Sequence, residues 1–222
     1  PIPGRDLAGV HLAMDFLTSQ NRVLNGEIET AAINAKGKRV AVIGGGDTGS
    51  DCIGTARRQG ATSIYEFSLM PKPAKDRAED TPWPLFPMTL KVSHAHEEGC
   101  ERLFGVMTTG FSGSEGHVTQ LHAVECEMID GKLVQKSGNE FTLDVDLVLL
   151  AIGFVGVNPK IVDVTPGLVK RPTGTIAGDA NCMTSLPGVF VAGDARRGAS
   201  LIVWAIAEGR RSADAIERYL HQ

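Results

Sequence analysis

A short apolar segment that runs into a glycine-rich turn constrains the fold of this chain more than any other feature. Residues 38–43 are rich in β-branched side chains, and their lack of polar alternation is typical of a strand buried on both faces. The turn at 44–49 leads into a helix-compatible stretch at 48–59 and a second apolar run at 61–69. Strand, turn, helix and strand within about thirty residues predict one βαβ unit with parallel strands.

The glycines of this turn are spaced for binding a pyrophosphate. In the pattern Gly44-x-Gly46-x-x-Gly49, the first glycine permits a tight turn and the second lets the backbone approach the phosphates. The third lets the helix pack closely on the strand. The free N–H groups and the dipole of the helix N-terminus then stabilise the negative charge. The sequence therefore predicts a dinucleotide site at this turn.

The end of the second predicted strand bears on which dinucleotide is bound. An acidic side chain there accepts hydrogen bonds from the adenosine ribose of NAD, whereas basic side chains favour the 2′-phosphate of NADP. Glu66 is at a suitable distance but lies one pleat before Ser68, and it is equally consistent with a solvated strand residue. Lys72, Lys75 and Arg77 follow in a charged segment. The residues leave both NADPH and NADH open.

The composition argues against nucleic acids and membranes as partners. The chain has 22 Lys and Arg against 26 Asp and Glu, a formal net charge of −4, so it offers no basic field. Its longest uncharged apolar run, residues 147–157, is too short to span a bilayer, and no signal-peptide pattern opens the chain. We therefore expect a cytoplasmic protein.

Neither the cysteines nor the histidines form a metal or redox motif. The cysteines are too far apart for a C-x-x-C pair or an iron–sulfur site, so we expect reduced, mostly buried thiols at Cys52, Cys100, Cys126 and Cys182. His94 and His96 lie two residues apart, and such residues point to different faces of a helix. We expect a solvated polar helix there and no metal site.

The remaining segments predict further strands and helices. Apolar spacing predicts a helix at 10–17, and the proline-rich, charged segment 70–87 predicts a loop. Short β-like runs between residues 103 and 149 are separated by Gly, Ser and Asp, which predicts an antiparallel meander. The runs lie at 102–108, 118–128, 132–134 and 141–150.

The last part of the chain predicts a short strand at 188–192 and a long helix from about residue 201. Apolar residues recur in that helix at intervals of three and four, which predicts one buried stripe formed by Ile202, Ile206, Ala213, Ile216 and Leu220. Gly153 follows one buried strand, and Gly193 with Asp194 follows the other. An Asp at a strand end can accept a hydrogen bond from a sugar or ribityl hydroxyl, although a turn or helix-cap role is equally consistent.

Four segments resemble the small (beta) subunit of glutamate synthase: "VAVIGGGDTGSDCIGTARRQGA", "TPWPLFP", "LVLLAIGF" and "GVFVAGDARRGASLIVWAIAEGR". The resemblance runs over nearly the whole chain. It implies an α/β, Rossmann-like flavoprotein fold that binds two dinucleotides, with a parallel sheet, helices and an antiparallel β-meander. It also implies a nicotinamide domain at 36–150, between pieces of an FAD domain at 1–35 and 151–222. In the family, the N-terminal FAD half and a cysteine-rich iron–sulfur region lie upstream, and neither is expected within these residues.

The resemblance also implies roles for individual residues. The nicotinamide dinucleotide would contact Gly44, Gly45, Gly46, Asp47, Thr48 and Gly49, with Glu66 and Ser68 near its ribose. FAD, in a site incomplete in this chain, would lie near Gly153, Gly193, Asp194, Ser200, Leu201 and Ile202. Apart from the resemblance, the residues themselves leave two partners open for Arg196 and Arg197: a phosphate, or acidic residues of the absent domain. No acid, base or nucleophile is needed, because hydride transfer from NADPH or NADH to FAD requires alignment and exclusion of water.

The family passes these electrons through iron–sulfur clusters to the glutamate synthase large subunit, which makes glutamate from glutamine and 2-oxoglutarate. We expect this fragment alone not to be competent. Two alternatives stay open: a FAD and NAD(P)H subunit of another electron-transfer complex, of the dihydropyrimidine-dehydrogenase or ferredoxin-dependent type, and a non-catalytic nucleotide-binding assembly module. A thioredoxin reductase is disfavoured because no C-x-x-C motif is present.

Overall fold

The computed structural model describes residues 2–79, 81–83 and 89–221. The chain divides into two compact units, Pro1–Ile152 and Gly153–Gln222. This division lies close to the predicted boundary at residue 150, and residues 1–35 belong to the same unit as the predicted nicotinamide domain. Which cofactor each unit binds stays a prediction. Most of the predicted loop at 70–87 is irregular where the structure describes it; residues 80 and 84–87 lie outside the described part.

The described residues of the first unit form two sheets and three helices. The strands are β1 (Val10–Leu12), β2 (Arg39–Ile43), β3 (Ser63–Ser68), β4 (Glu101–Phe104), β5 (Val106–Ser114), β6 (His117–Ile129), β7 (Lys132–Asp144) and β8 (Leu147–Leu150). The helices are α1 (Ala13–Leu24), α2 (Asp47–Gln59) and α3 (His94–Glu97). One sheet has the order β1-β8-β2-β3-β4, and its strands pair in parallel. The other is the antiparallel meander β5-β6-β7.

The fold class, with its parallel sheet, helices and meander, is confirmed, and so is the βαβ unit β2-α2-β3. Three predicted boundaries are wrong. The helix at 10–17 begins only at Ala13, because residues 10–12 pair with β8. The run 102–108 splits at Gly105, whose φ of 63° breaks the extended chain between a parallel and an antiparallel strand. The run 141–150 also divides, into the end of the antiparallel strand β7 and the parallel strand β8.

Apolar layers on both faces of the parallel sheet hold the first unit together. Val40 and Val42 of β2 pack with Phe16 of α1 and Ile53 of α2 in one core cluster. Ala41 of the same strand belongs to a second cluster, which includes buried residues of the meander. Its other buried members are Val10, Phe67, Val106, Phe111, Val118, Leu121, Ala123, Val145, Val148 and Leu150. Burial on both faces explains why β2 and β8 lack polar alternation.

An ion pair connects the start of β2 with the residue before β8. The Arg39 side chain donates to both carboxylate oxygens of Asp146 at 2.9 and 2.8 Å, and the Arg39 backbone N–H donates to Oδ2 at 2.9 Å. These hydrogen bonds hold the pKa of Asp146 below its ordinary value. Both side chains are about two-fifths exposed, so water screens the pair.

Asp146→Asn tests the contribution of this pair to stability. Because the pKa of Asp146 is lowered by folding, its contribution is present above the unfolded pKa near 4 and is lost as the pH falls further. We expect that contribution to be below about 1 kcal/mol. Urea unfolding at pH 7 and pH 3 should show a larger loss of stability on acidification for the wild type than for the variant. Equal losses would contradict this assignment.

The second unit contains the helices α4 (Pro159–Asp163), α5 (Asp194–Arg197) and α6 (Ile202–Leu220). The predicted strand at 188–192 is wrong, because only the isolated bridge Met183↔Phe190 forms there. Gly188 and Gly193 bracket it with φ values of 78° and 62°, so extended pairing cannot continue. Leu168, Ile176 and Val191 form a small buried cluster in this unit. Among the described residues of the chain, no helix is both long and apolar enough to cross a membrane.

The predicted buried stripe of α6 is also wrong. The buried residues of this helix are Glu208, Ser212 and Ala215, whereas Ile202 and Ile206 are 75% and 51% exposed. Glu208 turns inward because its carboxylate accepts hydrogen bonds from two arginines and one backbone N–H. Because α6 turns Glu208 toward the interior of this unit, the apolar side of the helix faces away from it.

Candidate functional site

The glycine loop lies where the parallel sheet changes direction. From β2 the chain proceeds to β3 and β4 on one side, whereas β8 and β1 lie on the other side of β2. The loop between β2 and α2 therefore opens at the carboxyl ends of the strands, in the crevice where α/β sheets bind their ligands. Ala151 and Ile152, which follow β8, line the same cleft as Gly44 and Gly45.

Each of the three spaced glycines has the environment that the sequence predicted. Gly44 has a φ of 122°, and a Cβ there would lie 2.2 Å from the carbonyl oxygen of Ala151. A Cβ on Gly49 would lie 2.1 Å from the carbonyl oxygen of Gly44, so this helix position tolerates no side chain. Gly46 is the N-cap of α2, and open space surrounds its hypothetical Cβ. The loop is thus closed toward the protein and open where a pyrophosphate would approach.

The start of α2 is accessible from the open side of the loop. Gly45, Gly46 and Asp47 are exposed, and Thr48 is half-buried in the first turn. No described side chain caps this helix, so its first N–H groups point outward unblocked by a side-chain acceptor. Phosphate oxygens satisfy such groups well.

A largely apolar cleft of about 710 Å³ adjoins the loop. Phe67, Met70, Met107 and Ile152 contribute to its walls, and Arg5 is the one charged residue among the described residues that line it. The Thr108 hydroxyl, which also lines the cleft, is buried and has no hydrogen-bond partner within the described part of the chain. A buried hydroxyl without a partner is costly, so a polar group of a bound ligand would stabilise it.

Glu66 is not a solvated strand residue, so that interpretation was wrong. Its side chain is completely buried and accepts a hydrogen bond from Arg102 of the neighbouring strand β4. The backbone N–H of Ser93 donates to Nδ1 of His96, so Nε2 carries the hydrogen and donates to Glu66 at 3.2 Å. Both carboxylate oxygens of Glu66 are therefore already hydrogen-bonded within the protein.

His96 corrects a second prediction, because the helix at 94–97 is not wholly solvated. His94 is fully exposed, but the His96 side chain is only 5% exposed. The same ring completes a capping box with Ser93 at the start of α3. His96 therefore fixes the helix start and the orientation of Glu66.

Ser68 takes the position at the end of β3. It lines the cleft, and its hydroxyl would lie 3.4 Å from a Cβ placed on Gly45. Glu66 lies on the same face of β3, one pleat deeper in the protein. Of the two candidates for contact with a ribose, the structure places Ser68 next to the glycine loop and commits Glu66 to internal contacts.

The second group of predicted residues lies in the unit 153–222. Asp194 is exposed at the start of α5, next to a pocket of about 280 Å³ that Phe154 and Thr175 also line. Gly153 has a φ of 91° and open space around it. Ser200, Leu201 and Ile202 are exposed at the start of α6, and Leu201 is its N-cap. The sequence prediction that these residues form one FAD site stays a prediction.

Glu208 organises this unit, and no local sequence pattern predicts that role. Its carboxylate accepts a hydrogen bond from the Gly193 N–H at 3.0 Å and from Arg196 and Arg197 at 2.8 and 3.1 Å. Burial acts to raise the pKa of Glu208, but these hydrogen bonds and positive charges outweigh it and hold the pKa below its ordinary value. The predicted pairing of both arginines with acidic residues of an absent domain is corrected accordingly, since they pair with Glu208. Their pairing with a phosphate stays a prediction.

The cysteines form no redox pair. All four are free, and Cys52, Cys126 and Cys182 are buried, as predicted. Burial raises the pKa of Cys52 to about 12, so its thiol stays protonated at neutral pH.

Comparisons with known proteins show what this chain is similar to. Residues 1–209 match the family described as pyridine nucleotide-disulphide oxidoreductase. The chain is 53% identical to the glutamate synthase [NADPH] small chain of Mycobacterium tuberculosis, over 99% of the chain and 46% of the relative. It is 39% identical to the corresponding small chain of Bacillus subtilis, over 99% of the chain and 47% of that protein. The chain thus spans about half the length of these curated relatives.

Solved structures agree on the fold. Mycobacterium tuberculosis FprA in complex with NADPH has a TM-score of 0.69 and 18% identity, covering 99% of this chain and 60% of that one. T. acidophilum thioredoxin reductase has a TM-score of 0.58 and 22% identity, covering 84% of this chain and 53% of that one. The resemblance to the glutamate synthase small subunit that the sequence motifs indicated is confirmed as a similarity.

Proposed function

Because the chain belongs to the pyridine nucleotide-disulphide oxidoreductase family, we propose that its loop Gly44–Gly49 binds NADPH or NADH within a flavin-dependent oxidoreductase. The observation that carries this proposal is the geometry of the loop. Side chains are sterically forbidden at Gly44 and Gly49, whereas the space at Gly46 is open toward the exposed start of α2. An uncapped helix N-terminus with open space beside it is well suited to bind a pyrophosphate.

The residues around the loop have distinct roles in this proposal. The first N–H groups of α2, near Asp47 and Thr48, hold the pyrophosphate, and Ser68 meets the adenosine ribose. The apolar cleft excludes water from the rest of the dinucleotide, since its described walls contain one charged residue, Arg5. Glu66 stabilises the protein beside the site through its contacts with Arg102 and His96, and it does not contact the ligand.

FAD is the second cofactor of the proposal, and the unit 153–222 would provide part of its site. Asp194 can accept a hydrogen bond from a ribityl hydroxyl, and the Glu208 contact fixes the backbone of Gly193 beside it. The exposed start of α6 at Ser200, Leu201 and Ile202 offers N–H groups to the flavin ring, and Gly153 is the remaining residue of this unit that we assign to the FAD site. When bound, FAD accepts a hydride from the reduced nicotinamide.

The names of the similar proteins support a place in glutamate synthesis. We propose that the longer protein to which this sequence corresponds passes electrons through iron–sulfur clusters, held outside these 222 residues, to a glutamate synthase large subunit. That partner would form glutamate from glutamine and 2-oxoglutarate. The chain on its own would bind the nicotinamide dinucleotide but not complete this reaction. A cytoplasmic location stays a prediction.

Gly46→Ala tests the proposed dinucleotide site. The backbone of Gly46 is extended at φ −90° and its surroundings are open, so alanine should fold with a loss below about 1 kcal/mol from poorer helix capping. The added methyl group would lie where the pyrophosphate approaches, so NADPH affinity should fall by about tenfold or more, measured by calorimetric titration.

Gly209→Ala is the matched control. Gly209 is an exposed helix residue with open space around it, in the other unit of the chain. The substitution should leave NADPH affinity unchanged. Unaltered binding by Gly46→Ala, or an equal loss in both variants, would overturn the assignment of the loop.

A further inference from the structure

Arg5 brings an unpaired positive charge to the cleft beside the glycine loop. It is the one charged residue among the described residues that line this cleft. The side chain is half-buried, and its guanidinium makes no hydrogen bond or ion pair within the described part of the chain. Removing a charged group from water is costly unless another group compensates it. The cleft therefore holds a cation whose natural partner is an anion.

The turn that carries Arg5 is fixed against the meander. The Phe111 backbone N–H of β5 donates to the Pro3 carbonyl oxygen at 2.8 Å, and the Arg5 N–H donates to the Ile2 carbonyl oxygen at 3.3 Å. Gly4 has a φ of 75°, and a Cβ there would lie 2.1 Å from the carbonyl oxygen of Phe111, so the turn packs directly on the strand. The backbone of Arg5 is thus held at the cleft before any ligand binds.

The glycine loop itself provides hydrogen-bond donors but no cationic side chain. Residues 44–49 contain neither Lys nor Arg, and Asp47 adds a negative charge in the first turn of α2. A pyrophosphate at this helix start would be stabilised by the free N–H groups and the helix dipole. It would also be repelled by the carboxylate of Asp47. A cation in the same cleft would offset that repulsion.

The surroundings of Arg5 favour a pyrophosphate as its partner. Gly44 and Gly45 line the same cleft, so a ligand bound at the loop lies in the same cavity as the guanidinium. The other described walls are uncharged and largely apolar, and opposite charges attract more strongly in such surroundings than in water. A guanidinium also presents paired N–H donors that match two phosphate oxygens.

We propose that Arg5 binds the pyrophosphate of the nicotinamide dinucleotide and supplies the positive charge that the glycine loop lacks. Arg5 lies outside the βαβ unit, so the dinucleotide site would include the turn at residues 2–5 as well as the loop and the start of α2. The proposal rests on the proposed function, because the pyrophosphate belongs to the same dinucleotide.

Arg5→Gln tests the contact, and Arg22→Gln is its matched control. Arg22 lies on α1 outside the cleft, and its exposed ion pair with Glu27 contributes little. Arg5→Gln should weaken the binding of NADPH and NADH alike, by about tenfold at low ionic strength, whereas Arg22→Gln should bind both like the wild type. Unchanged affinity in Arg5→Gln, or equal losses in the two variants, would overturn the proposal and leave the dinucleotide site standing. Absence of binding by the wild type would overturn the proposed function as well.

Salt dependence separates a charge contact from a purely structural role of Arg5. The affinity of the wild type for NADH should fall as the salt concentration rises from about 0.02 M to about 0.5 M, and that of Arg5→Gln should fall less steeply. Arg5→Lys keeps the charge and should recover part of the affinity. An equal salt dependence of the wild type and Arg5→Gln, or an affinity of Arg5→Lys no better than that of Arg5→Gln, would contradict the proposal.

Phosphorus NMR of the saturated NADPH complexes identifies the phosphate that Arg5 contacts. The pyrophosphate resonances should differ between the wild type and Arg5→Gln, because the guanidinium no longer binds their oxygens. The resonance of the 2′-phosphate should be the same in both complexes. A difference confined to the 2′-phosphate would overturn the assignment of Arg5 to the pyrophosphate.

Discussion

Replacing Glu208 by alanine should destabilise the unit 153–222 by about 3 kcal/mol, because it leaves the buried Gly193 N–H and the mostly buried Arg196 without their acceptor. The Glu208 side chain is 1% exposed, and it receives hydrogen bonds from Gly193, Arg196 and Arg197. Trp204 reports on this unit, since the Arg197 guanidinium lies 4.5 Å from its ring centroid. Urea unfolding followed by tryptophan fluorescence, with Trp83 replaced by Phe, should therefore shift to a much lower midpoint.

Glu217→Ala provides the control for this experiment. Glu217 lies on the same helix, is exposed, and makes no side-chain hydrogen bond or ion pair with a described residue. Glu217→Ala removes the same side-chain atoms as Glu208→Ala, and it should change the free energy of unfolding by less than about 0.5 kcal/mol. If both variants shifted the midpoint equally, Glu208 would not organise the unit as we describe.

Glu66→Ala should cost the unit 1–152 about 3 kcal/mol of stability without removing NADH binding. The loss follows because Arg102, only 17% exposed, would lose the carboxylate that pairs with it, and His96 would lose its acceptor. NADH affinity should stay within about twofold of the wild type at low temperature, because Glu66 contacts protein groups rather than ligand. Thermal unfolding and calorimetric titration of the same sample measure both effects.

Glu101→Ala is the matched variant for Glu66. Glu101 lies on the adjoining strand β4 but is exposed, and it has no ion pair within the described residues. It should leave both stability and NADH affinity close to the wild type. A selective loss of NADH binding in Glu66→Ala, at unchanged NADPH affinity, would instead identify Glu66 as the ribose ligand.

The parts of the site that the sequence predicted are local. The spacing Gly44-x-Gly46-x-x-Gly49 acts within one turn and one helix, so its geometry can be read without knowing the rest of the fold. The same holds for β2, α2 and β3, which lie next to one another in sequence. These features agreed with the structure because short-range sterics decide them.

The parts that the sequence missed depend on distant pairing. Arg102 meets Glu66 across 36 residues, and His96 meets it across 30. Only strand order brings β4 beside β3, and no pattern in the run 102–108 separates a parallel strand from an antiparallel one. Hydrophobic spacing also predicted the wrong buried face for α6, because an ion pair to Glu208 overrides the apolar stripe. A buried carboxylate is recognisable only once its donors are known.

The central claim is that the loop Gly44–Gly49 is a nicotinamide dinucleotide site, and backbone amide NMR during titration with NADPH tests it most directly. We expect the largest chemical-shift changes at the exposed loop and helix start, Gly45 to Thr48, and at Ser68. In Gly46→Ala these changes should require about tenfold more NADPH or more, whereas Gly209→Ala should titrate like the wild type. Saturable shifts confined to residues 153–222, with the loop amides unchanged, would contradict it.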